Sequence, residues 1–516
     1  MRGIRARNAL AVVALVVVAA GCGSRTDDTA ASDQATQRVL RRGLGAEPDT
    51  LDPYLAADNA ALAVVADLHE GLTTETSDGS IAPGHAGSWT IEDHGRVYTF
   101  RLRPGLRWSN GDALTAGHFA AGLRHALAAE TAAPNAGLLD AVELVEAVDP
   151  ETLHIRLSRP MPYLPAVLAL PVASPLHPHA ATLESRPGNG PYRLVRRLPG
   201  QRIELERNPH YWDAASVAIA RVTHLTVSDL TTEVNLYRTG ELDLTSEVPN
   251  AQLSELRERL PGELQLAPYL SVYAYAVNLA RLPDPRARLA LAMAIDRSRI
   301  TQQVTGAGER PAYGWVPDGI AGYTPARYAW RDTPHTQAVA QARQLWDAAR
   351  RADAAPSRLT LCTDASANHR RTAIAIADLW RSALGVETEI VELEWTVYLD
   401  TREHPGECDL VRLGWSADFA DPEAFAMVFE SGHPQNTLGY ASVAYDEWLA
   451  RSRTGTDAGQ RMAELAGAEA QLLRDAPVIP VFFRVSKRLA RPYVEGALAN
   501  PLGHVASRNL RFTQPQ

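Results

Sequence analysis

Residues 408–422, CDLVRLGWSADFADP, open as a strand and close on acids. In an extended chain Leu410, Arg412 and Gly414 fall on one face, and Asp409, Val411 and Leu413 on the other, because successive strand side chains alternate. The strand is expected to break at Gly414 and Trp415. That leaves Asp418 just past a strand end, where α/β proteins hold ligands. The segment thus offers a cation (Arg412), a wide aromatic plane (Trp415) and an anion (Asp418) close together in the chain. Such a set suits a ligand with an ammonium at one end and a carboxylate at the other, as in a peptide. Taken alone, an acid and a base near a strand end are more often a solvated surface pair.

Strands and helices alternate around this segment. A strand–helix–strand unit is read at 359–362, 371–384 and 386–393. Further strands are read at 39–44, 97–102, 192–197, 203–207, 222–227, 270–278 and 478–489. Helices are expected at 60–72, ending near Gly71, and from Thr115, a suitable N-cap, to 127. Two more are expected at 231–239, closed by Gly240, and at 285–295. The alternation argues for an α/β fold with partly parallel sheets.

The N-terminus reads as an export signal. Arg2, Arg5 and Arg7 precede an apolar run over residues 9–20, too short to cross a bilayer and of signal-peptide length. Ala19-Ala20-Gly21-Cys22 then places small residues before a cysteine, similar to the lipobox of bacterial lipoproteins, in which that cysteine is lipidated. Ordinary signal-peptidase cleavage is the alternative. Residues 1–21 are therefore expected to be a signal peptide and 22–38 a tether rich in small and polar residues. No later apolar run is long enough to span a membrane.

Composition narrows the function. The net charge of −9, with no basic stripe carrying interleaved aromatics, argues against nucleic acid. Lys487 is the only lysine, so lysine chemistry has no other site. Cys362 and Cys408 lie in strand-like runs and either pair in an oxidising compartment or remain buried thiols. Neither CxxC nor HExxH occurs, so no metal is expected. GxSxG is also missing, so an exported hydrolase has no motif to support it.

Motifs along nearly the whole mature chain carry a resemblance. They include Glu47-Pro-Asp-Thr-Leu-Asp-Pro53, Glu70-Gly-Leu72, Ala82-Pro-Gly84 with Ser88-Trp89, and Tyr98-Thr-Phe-Arg-Leu-Arg103. Trp108-Ser-Asn-Gly-Asp112, Asn189-Gly-Pro-Tyr192, Glu206-Arg-Asn-Pro-His-Tyr-Trp212 and Tyr237-Arg-Thr-Gly-Glu-Leu-Asp243 follow. Ala294-Ile-Asp-Arg297, Pro311-Ala-Tyr-Gly314 and Gly414-Trp-Ser-Ala-Asp418 complete the series. In this order the chain resembles the oligopeptide/dipeptide-binding proteins of ABC importers, solute-binding protein family 5, most closely their oligopeptide- and murein-peptide-binding branch.

The resemblance implies an α/β fold of the type II periplasmic-binding-protein kind, with two lobes around a hinged cleft. Domain I would comprise 39–59, 184–269 and 486–516, domain II 60–183 and domain III 270–485. The crossings near Tyr269 and Val485 would act as hinges. It also implies an exported, non-enzymatic peptide-binding lipoprotein without cofactor. The protein would act as a monomer in the periplasm or on the outer face of the cell membrane. It would be held to the membrane by a lipid on Cys22 and deliver short peptides to the permease subunits of an ABC importer. A binder of another solute (murein tripeptide, nickel, sugar) and a peptide sensor without import are the alternatives.

By the same resemblance Asp418 would take the peptide ammonium, and Glu47 would lie near the ligand from the opposite lobe. Arg412, Arg402 and His369 would receive its C-terminus or an acidic side chain. Trp395, Trp415, Tyr269 and Tyr273 would wall its side-chain pockets. The chain departs from the family where Thr305 replaces a lysine that can serve ligand carboxylates, and where Ser271 and Ser416 replace a cysteine pair. A closing cleft strips water from peptide charges and backbone groups, so each needs a partner. Strand edges would supply the backbone contacts.

Overall fold

The computed structural model describes residues 38–179, 186–433, 435–454 and 457–513; the expected signal peptide, Cys22 and nearly all of the tether lie outside them. Three large sheets organise the chain. The first has the order Val39–Gly43, Arg221–Leu225, Arg202–Arg207, Tyr192–Leu198, with only its first pairing parallel. The second is an antiparallel sheet of Ala86–Glu92, Val97–Leu102, Thr152–Leu157 and Val142–Asp149. The third has six strands in the order Arg310–Pro311, Val478–Leu489, Leu264–Val277, Leu410–Ser416, Arg358–Asp364, Glu387–Leu393. The fold is α/β, as expected, but parallel pairing is confined to a few ladders.

Local chemistry sets many ends. Asp58 accepts hydrogen bonds from the Ala60 and Ala61 amides at 2.8 and 2.9 Å and starts the helix Asn59–Leu68. Gly240, at φ +83°, closes Leu230–Thr239 in the left-handed region, as expected of a glycine after a helix. Thr115 stands at the N-cap of Ala116–Leu127, its amide donating to His118 Nδ1 at 3.1 Å.

Two expectations need correction. The first helix ends at Leu68, before the expected residue 72. Gly71 answers to packing instead: a Cβ there would meet the Leu168 carbonyl oxygen at 1.9 Å. The strand expected to break at Gly414 runs through Ser416, because Ser271–Val277 pairs with it along its whole length.

Several motif residues build a buried knot between segments distant in sequence. Glu70 accepts from Tyr211 Oη at 2.6 Å, from Trp212 Nε1 at 2.7 Å and from Thr74 Oγ1 at 3.0 Å. It also pairs with His85 at 3.1 Å and with Arg508. Burial alone would raise its pKa, but His85 and Arg508 win and bring it down to about 2.

The strands Leu264–Val277 and Val478–Leu489 form the spine of the third sheet. Their ladder is continuous from Leu264↔Leu489 to Pro268↔Val485, breaks, and resumes at Val272↔Phe483. In the break Tyr269, Leu270 and Ser271 face the single residue Arg484. Of the residues named for the expected crossings, Tyr269 lies in this break and Val485 borders it.

Cys362 and Cys408 form a disulfide, with Cα atoms 5.9 Å apart. It ties Arg358–Asp364 to the entry of Leu410–Ser416. Ser271 and Ser416 are directly paired across the sheet, with Ser416 Oγ donating to Ser271 Oγ at 2.9 Å.

Candidate ligand-binding cleft

The wall of the cleft is the C-terminal half of Leu410–Ser416. On one side this strand is paired with Ser271–Val277. On the other, Arg358–Asp364 joins it only at Leu410 and Val411, so among the described residues the edge from Arg412 onward carries no strand partner. An edge of this kind can accept an extended peptide as an added strand.

Asp418 lies just past the strand end. It is half-buried and makes no hydrogen bond or ion pair among the described residues. Burial pushes its pKa up to about 6, against the opposing field of His504. The field is fixed by the loop 500–504. His504 pairs through Nδ1 with Glu75 at 3.0 Å, and its amide donates to Asn500 Oδ1 at 2.9 Å. Burial lowers the His504 pKa, but Glu75 and then Asp418 raise it overall. The Leu270 amide donates to Pro501 O at 2.7 Å and the Ala417 amide to Leu270 O at 2.9 Å, which seats the loop beside Asp418.

Arg412 is buried, and its Nε and Nη2 both lie 2.9 Å from Asp364 Oδ1. His369 Nδ1 also reaches Asp364 Oδ1, at 2.8 Å. Burial would raise the Asp364 pKa, but His369 and Arg412 hold it well below the usual carboxylate range. Burial and the field of the arginines lower the pKa of His369 despite its bond to Asp364. A carboxylate only accepts, so His369 Nδ1 is the donor in this bond. Asp364 was not singled out from the sequence: its partner Arg412 is 48 residues away, and no local pattern marks the pair.

Arg402 and Trp415 line one shallow pocket that is partly open to solvent. Trp315, Phe429, Leu413 and Asn436 are among its other lining residues. Among the described residues Arg402 Nε is buried without a hydrogen-bond partner, while Trp415 Nε1 donates to Ala424 O at 2.7 Å. Trp395 is half exposed at the head of Trp395–Glu403, its ring 5.5 Å from that of Tyr398. Tyr269 is half-buried against Gly503, where a Cβ would stand 2.9 Å from its ring.

The remaining two candidates are engaged elsewhere. Tyr273 is 2 % exposed and stacks on Phe482 at 4.6 Å, so it supports the wall from the core side. Glu47 spends its carboxylate on residues around the first sheet. It accepts from Arg197 at 2.8 Å, from Thr226 Oγ1 at 3.0 Å and from the Gly200 amide at 3.1 Å. Those bonds outweigh burial and lower its pKa.

Residues 80–437 match the profile of the bacterial extracellular solute-binding proteins, family 5. The periplasmic oligopeptide-binding protein OppA of Escherichia coli K12 is 34% identical, covering 99% of each chain. Haemophilus influenzae OppA in complex with the peptide RPPGFSPFR superposes with a TM-score of 0.83 at 32% identity, covering 92% of this chain and 98% of that one. The E. coli murein tripeptide-binding protein MppA reaches 0.85 at 31% identity, over 92% and 98%, whereas the unliganded open form of MppA reaches 0.74 at the same identity, over 93% and 98%. As a whole the chain superposes better on the first MppA structure than on the open form.

Proposed function

Because the chain belongs to the family 5 bacterial extracellular solute-binding proteins, we propose that it captures short peptides in the cleft and delivers them to the permease subunits of an ABC importer. The observation that carries this reading is the unpaired, half-buried carboxylate of Asp418 at the end of an open strand edge. An ammonium placed against it would recover the energy that burial costs the carboxylate. The strand edge would pair with the peptide backbone, a feature common to all peptides, so broad sequence tolerance follows. Affinity on the order of micromolar suits a carrier that must release its load.

Export and a lipid on Cys22 are part of this reading, supported by residues 1–22 and by the periplasmic relatives. Among the described residues no helix is long and apolar enough to cross a membrane. The expected extents of domains I and II are supported by the first two sheets, whereas two strands of the third, Leu264–Val277 and Val478–Leu489, run across the expected borders at 269/270 and 485/486; the break at Tyr269 and Arg484 there supports hinge closure.

Calorimetry with trialanine and its N-acetyl derivative tests the proposal. The free amine is expected to bind and the acetylated peptide to lose most of that affinity; equal affinities would remove Asp418 from its role. The same titration has a pH signature. Only ionised Asp418 can pair with the ammonium. The affinity for trialanine should therefore peak between about pH 6 and the peptide's α-amino pKa of about 8, fall toward tenfold per unit as pH drops below 6, and fall again as the amine deprotonates.

A further inference from the structure

Tyr163 is carried by one lobe and packs on the other. It stands at the head of the short helix Leu164–Val167. The turn leading to it is tied to the second sheet by Tyr98 Oη, which donates to Met161 O at 3.0 Å. Yet the ring lies on residues attached to the third sheet. Tyr163 stacks on Phe419, with ring centres 4.9 Å apart and planes 8° from parallel. Arg461 faces the same ring, its guanidinium 5.5 Å from the centre. Tyr163 and Phe419 are 8 % and 1 % exposed, and both belong to one apolar cluster that runs from Tyr98 and Leu153 in the second sheet to Leu270 and Val272 in the third. The lobes also approach at a second point, where His433 Nε2 comes within 3.8 Å of the position a Cβ on Gly137 would take.

Both partners of Tyr163 are bound into the loop that carries Asp418. Phe419 is the next residue, and its carbonyl accepts from the Asp421 amide at 2.8 Å. Asp421 in turn holds Arg461 through two hydrogen bonds, of 2.9 and 2.8 Å. On the other flank the Ala417 amide is fixed to Leu270 O. Opening the lobes about the break at Tyr269 and Arg484 would draw Tyr163 off Phe419 and expose both rings to water, which stacking and burial oppose. We infer that Tyr163 is a positioning residue: its stack on Phe419 latches the two lobes together and holds the loop of Asp418 where the closed cleft needs it. Every group in the latch is the protein's own, so it biases the empty chain toward closure. Once an ammonium is seated on Asp418, it also slows the ligand's escape. That second consequence rests on the peptide reading above; the first does not. The phenol oxygen has little part in it, since its printed contact is a long one, from Arg159 Nη1 at 3.5 Å.

Small-angle scattering of the unliganded mature chain and stopped-flow release of trialanine test this. Tyr163→Ala is expected to lower the closed-to-open ratio by about tenfold, read as a larger unliganded radius of gyration. It should also speed trialanine release by about tenfold while changing the association rate by less than about twofold. Tyr163→Phe keeps the stack and should match the unmodified chain in both measurements. Phe419→Ala should reproduce Tyr163→Ala, and the double variant should differ from either single one by less than about twofold, because one contact cannot be lost twice. If Tyr163→Ala does not fold, Tyr163→Leu, which fills the site without a ring, carries the same expectations. An unchanged radius of gyration, equal losses in Tyr163→Phe and Tyr163→Ala, or additive single effects would overturn the latch; trialanine binding by the unmodified chain would then leave the peptide reading intact. If the scattering followed the expectation but the unmodified chain bound no trialanine, the latch would stand and the peptide reading would fall.

Discussion

Asp418→Ala should cost between about 1.5 and 3.5 orders of magnitude in affinity for a free-amine tripeptide. That range corresponds to the roughly 2–5 kcal/mol typical of truncating one partner of a desolvated charge pair. The loss should come almost entirely from binding. Asp418 makes no hydrogen bond and holds no ion pair among the described residues, and burial raises its pKa to about 6. A carboxyl whose pKa is raised on folding contributes stability below its unfolded pKa and loses it as pH rises through the folded value. At neutral pH the ionised group is therefore a cost to the empty protein, and its removal should leave the unliganded melting temperature unchanged or higher. His504 would shed part of its elevated pKa, since Asp418 is one of the groups that raise it, though Glu75 is the larger. The measurement is calorimetry with trialanine beside thermal melts of the unliganded variant. Full retention of affinity would refute the assigned role. Loss of affinity together with a lower melting temperature would show that the residue is structural.

Much of the fold could be read from the chain because its signals are local. Gly240 ends a helix, Thr115 begins one, and the unit Arg358–Asp364, Ala367–Leu384, Glu387–Leu393 follows from its apolar pattern. The order of motifs pointed to the family, yet most of those motifs are scaffold. Glu70, Tyr211 and Trp212 meet in a buried knot, and Arg297 donates to the carbonyls of Ala292, Ala312 and Pro480. A motif can therefore identify a fold while saying little about its ligand.

The cleft was less legible, because its chemistry lies in pairings between distant segments. Arg412 carries the same residue type whether it is free or held by Asp364, and Glu47 reads as an available acid until Arg197 and Thr226 are seen upon it. Glu75 and His504 are 429 residues apart in sequence. Arg484 lies in an apolar run and reads as an ordinary exposed position of a strand. Only the register break opposite Tyr269–Ser271 shows that it leaves the ladder. Paired acids drop out of the candidate set, a change that does not follow from periodicity.

Removing the Cys362–Cys408 bond should be the largest single loss of stability among these changes. The bond closes a loop between residues 46 apart in sequence, and for a loop of that length chain entropy alone gives about 4 kcal/mol. Both sulfurs are buried with Tyr398 and Val411, so Cys362→Ala with Cys408→Ala would add a small packing loss. The effect should reach the ligand. Cys362 lies two positions before Asp364 in its strand, and Cys408 leads directly into the strand of Arg412. The bond thus fixes the spacing of the two elements that hold Arg412 against Asp364. Between those strands only Leu361↔Leu410 and Cys362↔Val411 are paired, so few backbone bonds would remain to hold them in place. Urea unfolding with and without reductant should show the double variant lower by roughly 3–4 kcal/mol and insensitive to reductant. At temperatures where the variant remains folded, it should bind N-acetylated and free-amine peptides in the same ratio as the unmodified chain, because Asp418 is untouched. Its preference for a peptide acid over the amide should narrow as Arg412 loosens. An unchanged acid preference, alongside the expected loss of stability, would show that Asp364 and the sheet hold Arg412 in place without the bond.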